Sequence, residues 1–231
     1  MLNLSKGKSL NLSKTSDNLS HILIGMGWEM ASGDRTVETK VPVKSIGNFF
    51  RSLFGRPLVT ETKTEVVKHN TENYDLDASC AVVNNKCRLI NGDSLVYYGH
   101  TETRGIKHSG DNLVGGSGKN DDEQINIWLD QVNSNAKAIV VFMNIYSASR
   151  RKQNFGALTN AYVRIVNMSN KEELCRYDLT SLKQDDTAIV LGIISKVNGE
   201  WIFKAVGETC KADRPDYVVD QFGALKIQEL I

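Results

Sequence analysis

Short stretches in which apolar and polar residues alternate, or in which apolar residues run together, recur along most of the chain. They predict strands over residues 2–6, 9–14, 21–28, 76–83, 88–90, 94–98, 124–129, 138–146, 161–167, 173–179, 188–196 and 201–206. Each is rich in apolar positions at strand spacing, most of them β-branched or aromatic. Gly7-Lys8 reads as the turn of a hairpin joining the first two, and Asn91-Gly92-Asp93 and Asn198-Gly199-Glu200 read as tight turns. Closely spaced strands without alternating long helices predict a mainly β fold, an antiparallel β-sandwich with few short helices. The one extended helix expected runs from Arg214 to Leu225, with Asp213 as cap and Pro215 in its first turn.

Residues 31–73 break this rhythm with a Thr-rich, basic stretch, so the chain reads as a single domain over 1–231 carrying an inserted loop. Inside it Ile46, Phe49, Phe50, Leu53 and Phe54 recur at helical spacing beside Lys44, Arg51 and Arg56. Two readings follow: a short amphipathic helix docked on its own sandwich, which is preferred because short helices take their stability from packing, or a face presented to a partner or an anionic membrane.

Composition narrows the function more by exclusion than by assertion. The chain has 231 residues, 41% of them hydrophobic, enough for a sizeable core, and a formal net charge of +1. No global field draws it to nucleic acid, so electrostatic function rests on local clusters. No apolar run behind a basic start and no membrane-length apolar run occurs, so no signal peptide or transmembrane segment is expected and the default location is cytoplasmic. The four cysteines lack a CxxC pair, which argues against zinc. At strand spacing Cys80 shares a face with Leu76 and Val82, and Cys175 with Tyr177 and Leu179, as buried thiols do.

Candidate chemistry lies in the acidic segments: Asp75 and Asp77, then Asp111 and Asn112, then Asp121, Asp122 and Glu123 after a glycine-rich loop. Two unit charges about 4 Å apart repel by roughly 4 kcal/mol at an effective dielectric near 20, so carboxylates gathered this densely call for a cation. Asp75 and Asp77 project to one side of their strand, away from Leu76 and Ala78. With the amide oxygen of Asn112, the set offers oxygens for calcium, which takes six to eight. The spacing is not that of an EF-hand.

Gly115-Gly116-Ser117-Gly118-Lys119-Asn120 is not a P-loop: Leu113 stands where the first glycine belongs, Asn120 where Ser or Thr belongs, and a strand follows instead of a helix. A looser anion nest remains open. His108, Ser109 and Asp111 are nearly contiguous, whereas a catalytic triad gathers its groups from separate segments. The expectation is a non-enzymatic protein, with a small-ligand binder (a cyclic nucleotide or other anion) and a metal-dependent hydrolase as alternatives.

Leu10-Asn11-Leu12-Ser13-Lys14, Ile24-Gly25-Met26-Gly27-Trp28, Asp75-Leu76-Asp77-Ala78-Ser79, His108-Ser109-Gly110-Asp111-Asn112, Asp121-Asp122-Glu123, Phe155-Gly156 through Asn160-Ala161-Tyr162, Arg176-Tyr177-Asp178-Leu179 and Trp201 through Gly207 resemble, in order, the signature segments of the TerD-type tellurium-resistance and stress-response family. The resemblance spans the chain apart from the insertion. It implies a cytoplasmic β-sandwich that binds Ca2+ through the segments holding Asp75, Asp77, Asp111, Asn112, Asp121, Asp122 and Glu123. It also implies a role in tellurite and stress resistance, and partners among other Ter-type proteins or a membrane-associated complex. Some relatives are linked to cyclic-nucleotide binding. The glycine loop departs from the family pattern: Val114 replaces a Thr, Lys119 and Asn120 precede the acidic run, one residue is added, and an Asp and a Gly are lost. Whether one ion or two bind is left open.

Overall fold

The computed structural model describes residues 2–16, 19–30, 35–67, 74–110, 121–179, 182–183 and 185–231. The chain begins with β1 (Leu2–Asn3), β2 (Ser9–Asn11) and β3 (His21–Met30). β4 (Arg35–Pro42), α1 (Ile46–Leu53) and β5 (Thr60–Val67) come next, followed by β6 (Leu76–Val83). Three short strands, β7 (Leu95–Val96), β8 (Glu102–Thr103) and β9 (Ile106–His108), precede β10 (Glu123–Trp128) and β11 (Ala138–Ile145). The turn α2 (Ala148–Arg151) leads to β12 (Leu158–Asn167), β13 (Glu172–Asp178), β14 (Ala188–Val197), β15 (Glu200–Cys210) and α3 (Pro215–Leu230).

Two compact units result, Met1–Met30 with Glu72–Ile231, and Ala31–Thr71. The larger is the expected sandwich: one sheet ordered β1-β13-β12-β3-β10-β9-β8 and one ordered β2-β15-β14-β11-β6-β7, antiparallel except for the β1–β13 pair. Between the sheets pack the inward positions of each strand, such as Ile22, Ile24 and Met26 of β3 against Leu76, Ala78 and Cys80 of β6 and Ile139, Val141 and Met143 of β11. The second sheet is covered on its other face too, where Ala81, Val140, Phe142, Val190 and Val206 meet Val218, Phe222 and Ile227 of α3. This double burial is why β11 and β14 are apolar at successive positions rather than at alternate ones. Cys80 and Cys175 lie in the inter-sheet core, and burial pushes both thiols up to about 12.

Several local expectations are corrected. Gly7 does turn, at φ +80°, but it carries the chain from one sheet to the other: β1 joins β13 and β2 joins β15, because each finds a longer edge there than it could in a two-stranded hairpin. Residues 88–90 make only an isolated bridge, Val83 to Leu89, and Gly92–Ser94 is a short 3-10 turn with a reciprocal Asn91–Ser94 cap. Asp213 does not cap α3, whose N-cap is Arg214. The Asp213 backbone oxygen accepts from Ser147 N–H (3.4 Å) and its carboxylate from Ser149 N–H (3.2 Å). The helix continues to Leu230 through a break at Gly223 (φ 54°, ψ 171°), a conformation open to glycine, which brings Ile227 rather than Lys226 into the core. Among the described residues no helix is long and apolar enough to cross a membrane.

The smaller unit is a hairpin. β4 and β5 pair antiparallel over eight positions, Arg35 with Val67 through Pro42 with Thr60, and α1 lies in the connection between them. The side chains of Ile46, Phe49 and Phe50 lie outside the described residues, and Leu53 and Phe54 are exposed.

Candidate metal centre

β6 begins at the first acidic pair. Its even positions enter the inter-sheet core, so Asp75, Asp77 and Ser79 take the other face, as the alternation predicts. There Asp77 stands directly across from Asn144 of β11, and Ser79 across from Phe142, which places the Asp77 and Asn144 Cβ atoms about 5 Å apart. Asp77 is 2% exposed, and Ser79 and Asn144 are fully buried. Among the described residues, neither the Asn144 amide oxygen nor its nitrogen has a hydrogen-bond partner, nor has the Ser79 hydroxyl. A buried amide left in this state costs about 1–3 kcal/mol, so something polar belongs beside it.

The surroundings are charged and aromatic. Arg151 Nη1 lies 3.6 Å from Asp75 Oδ2. The Tyr98 phenol is pushed up to about 12, first by burial and then by the Asp77 charge, and its ring meets Tyr146 edge-on. Asp75, Asp77, Ser79 and Asn144 offer hard oxygen donors with one guanidinium near two carboxylates, a set that fits a hard cation such as calcium.

The second acidic run opens out in three directions. Asp121 belongs to the outer side of the first sheet. Arg164 of β12 and Gln124 of β10 flank Gly25 of β3 in register, and the Asp121 carboxylate lies over that glycine. Arg164 donates to both oxygens, Nε to Oδ1 at 2.7 Å and Nη2 to Oδ2 at 2.9 Å. Tyr162 Oη (3.1 Å) and Gln124 Nε2 (3.0 Å) donate as well. An added Cβ at Gly25 would overlap the carboxylate, so the missing side chain is what makes room for it. Arg164 also reaches Glu173 (3.0 Å), and the carboxylates raise its already high pKa further. The counter-charge of Asp121 is thus a guanidinium, held by a two-pronged contact.

Asp122 docks on β3, its N–H donating to Met26 O and its Oδ2 accepting from Trp28 N–H, each at 2.8 Å. Glu123 turns into the core, where Oε2 accepts from Ala78 N–H at 2.6 Å. His108 completes that contact. Its Nδ1 accepts from Gly110 N–H (3.0 Å), which leaves the proton on Nε2 to be donated to Ala78 O (3.0 Å). β7 covers β6 only at Cys80 and Ala81, so Glu123 and His108 supply to Ala78 the bonds a neighbouring strand would have given.

Thus Asp75 and Asp77 come together with Asn144 and Ser79, whereas Asp121, Asp122 and Glu123 part from one another. Asp111, Asn112 and the glycine loop through Asn120 lie outside the described residues. Among the described residues no group of three or more His, Cys, Asp or Glu is placed to hold a metal. Arg164, Asn144 and Gly25 were missed as site residues. A glycine inside an apolar strand was the available signal for Gly25, and nothing in the sequence marked the other two.

The sequence matches the TerD domain family over residues 1–218. It is 34% identical over 223 residues to the Stress response protein SCP2 of Bacillus subtilis (strain 168), covering 96% of this chain and 98% of that one. It is 31% identical over 209 residues to the Tellurium resistance protein TerD of Serratia marcescens, covering 90% of each. The fold matches the crystal structure of a homologue of telluride resistance protein (TerD) from Streptomyces coelicolor A3(2). That match has a TM-score of 0.57 at 14% identity and covers 87% of this chain and 96% of that one.

Proposed function

Because the chain belongs to the TerD family, we propose that it is a non-enzymatic, calcium-binding module of tellurite resistance and stress response that acts by engaging a Ter-type partner or a membrane-associated complex. The observation that supports the calcium reading is the buried oxygen set on β6 and β11: Asp75 and Asp77 beside the Asn144 amide and Ser79 hydroxyl, which have no partner among the described residues. A bound divalent ion would neutralise the buried carboxylates and give the Asn144 oxygen a partner. Asp111, Asn112 and Asp122 are the further donors the sequence offers. Asp121 and Glu123 hold the scaffold instead, through Arg164 and Ala78.

The non-enzymatic reading is supported by His108, the buried histidine beside the acidic run, whose ring serves as scaffold, meeting Gly110 N–H at Nδ1 and both Ala78 O and the Glu123 carboxylate (3.4 Å) at Nε2. The test is thermal unfolding of the whole chain in calcium and in chelator. An ion that binds only the folded state, at about a thousand times its dissociation constant, adds roughly 4 kcal/mol. Coincident melting curves would remove calcium from the proposal.

A further inference from the structure

The smaller unit carries its connection as a built structure. Ser45 Oγ accepts from Asn48 N–H (3.2 Å) and caps α1. The buried Asn48 amide then ties the two sides of the connection, donating to Val43 O (2.7 Å) and Val59 O (2.6 Å) and accepting from Val59 N–H (2.8 Å). At its far end α1 closes with a Schellman motif: Gly55, at φ +62°, donates to Ser52 O and Arg56 N–H donates to Arg51 O. The tip is therefore fixed before any partner arrives, so docking through it costs little ordering entropy.

This fixed tip is apolar where a soluble surface is usually polar. Of the six large hydrophobic side chains exposed among the described residues, four are here: Leu53 (67%), Phe54 (71%), Leu58 (40%) and Val59 (50%). The charges are of one sign. Lys44, Arg51 and Arg56 are exposed, and no Asp or Glu occurs from Val43 to Val59. The 31–71 unit holds seven Lys and Arg against four Asp and Glu, while the rest of the chain has a small acidic excess. The tip lies eight paired positions along the hairpin from Arg35 and Val67, about 26 Å at strand rise.

We propose that this tip, Lys44 with residues 51–59, docks on an anionic lipid surface, Leu53, Phe54, Leu58 and Val59 entering the headgroup boundary and Lys44, Arg51 and Arg56 meeting lipid phosphates. Charge complementarity and size select the occupant. A basic rim around a few apolar side chains is what an anionic bilayer interface takes up, whereas a standard protein interface needs about 20–30 residues a side. The inference deepens the membrane arm of the proposed function and requires no calcium.

The experiment is flotation of the whole chain with phosphatidylcholine vesicles, with and without about a third phosphatidylglycerol, in calcium and in chelator. Partitioning onto the anionic vesicles in both media is expected, together with a fall as salt rises. Each basic side chain near the surface contributes about fivefold, so Lys44→Gln with Arg56→Gln weakens partitioning about thirtyfold. Phe54→Ser with Leu58→Ser abolishes it. Both pairs change exposed side chains, so melting and calcium titration should match the parent protein and show the fold intact. No flotation of the parent protein, or flotation undiminished in both variants, overturns the proposal. Flotation in chelator by a protein whose melting ignores calcium would uphold it while refuting the calcium reading.

Discussion

Asp77 and Asp121 are both shielded carboxylates from acidic runs, and they meet opposite surroundings. Asp121 lies under as many donors as a carboxylate accepts: the Arg164 fork, the Tyr162 hydroxyl and the Gln124 amide, two on each oxygen. Asp77 faces an amide and, one position along the same face, a hydroxyl that have no partner among the described residues. The first carboxylate has a guanidinium as its counter-charge, and the second is where we propose a cation. Carboxylate density along a chain is thus a poor measure of carboxylate density in space, and the groups opposite each carboxylate decide between ion pair and ion site.

The comparison breaks most readily at Arg164. Arg164→Met strands a buried carboxylate and is expected to lower stability by about 3–5 kcal/mol, read by urea unfolding. Adding Asp121→Asn should recover most of that loss, and calcium should recover none of it. If calcium restores Arg164→Met, Asp121 is an ion ligand after all and the contrast with Asp77 fails.

Gly25→Ala tests the same side by sterics. Its Cβ meets the Asp121 carboxylate, so a loss of about 1–3 kcal/mol is expected. The loss should shrink in an Asp121→Ala background, because the atoms struck are then gone. Equal losses in both backgrounds would mean that strand conformation, not the carboxylate, requires glycine at this position.

On the Asp77 side the sign reverses. Asn144→Leu removes an amide without partners, so the metal-free protein should gain about 1–2 kcal/mol while calcium affinity falls, measured by unfolding in chelator and by calorimetric titration. A metal-free protein weakened by the change would show that buried water already satisfies the amide.

The smallest effect is expected in alkali. Burial, and then the Asp121 charge and hydrogen bond, push the Tyr162 phenol from 10.0 up to about 12. The folded state therefore favours the neutral phenol. That contribution is fully present below pH 10 and is lost as pH rises from 10 towards 12. Tyr162→Phe should flatten the decline of stability across this window relative to the parent protein. Parallel curves would show that Tyr162 ionises alike in both states.

What the sequence determined by itself was whatever each strand's own pleat dictates. The alternation in β3, β6 and β10 placed Ile24, Leu76 and Ile125 inward and Asp75 and Asp77 outward. Asn198 and Gly199, both at positive φ, made the hairpin between β14 and β15. These follow from neighbours in the chain, where period 2 and turn chemistry act without knowledge of the rest. Partners across strands were decided only by tertiary structure. Arg164 reaches Asp121, 43 residues away, because β3 lies between β10 and β12 with a glycine at the crossing. Asn144 meets Asp77 only through the register of β11 on β6. Gly7-Lys8 shows the same limit at a turn: the local signal to reverse was correct, and the choice of strand to pair with belonged to edges formed by β13 and β15. Register and edge selection depend on the burial of a whole face at once, which no window of sequence contains.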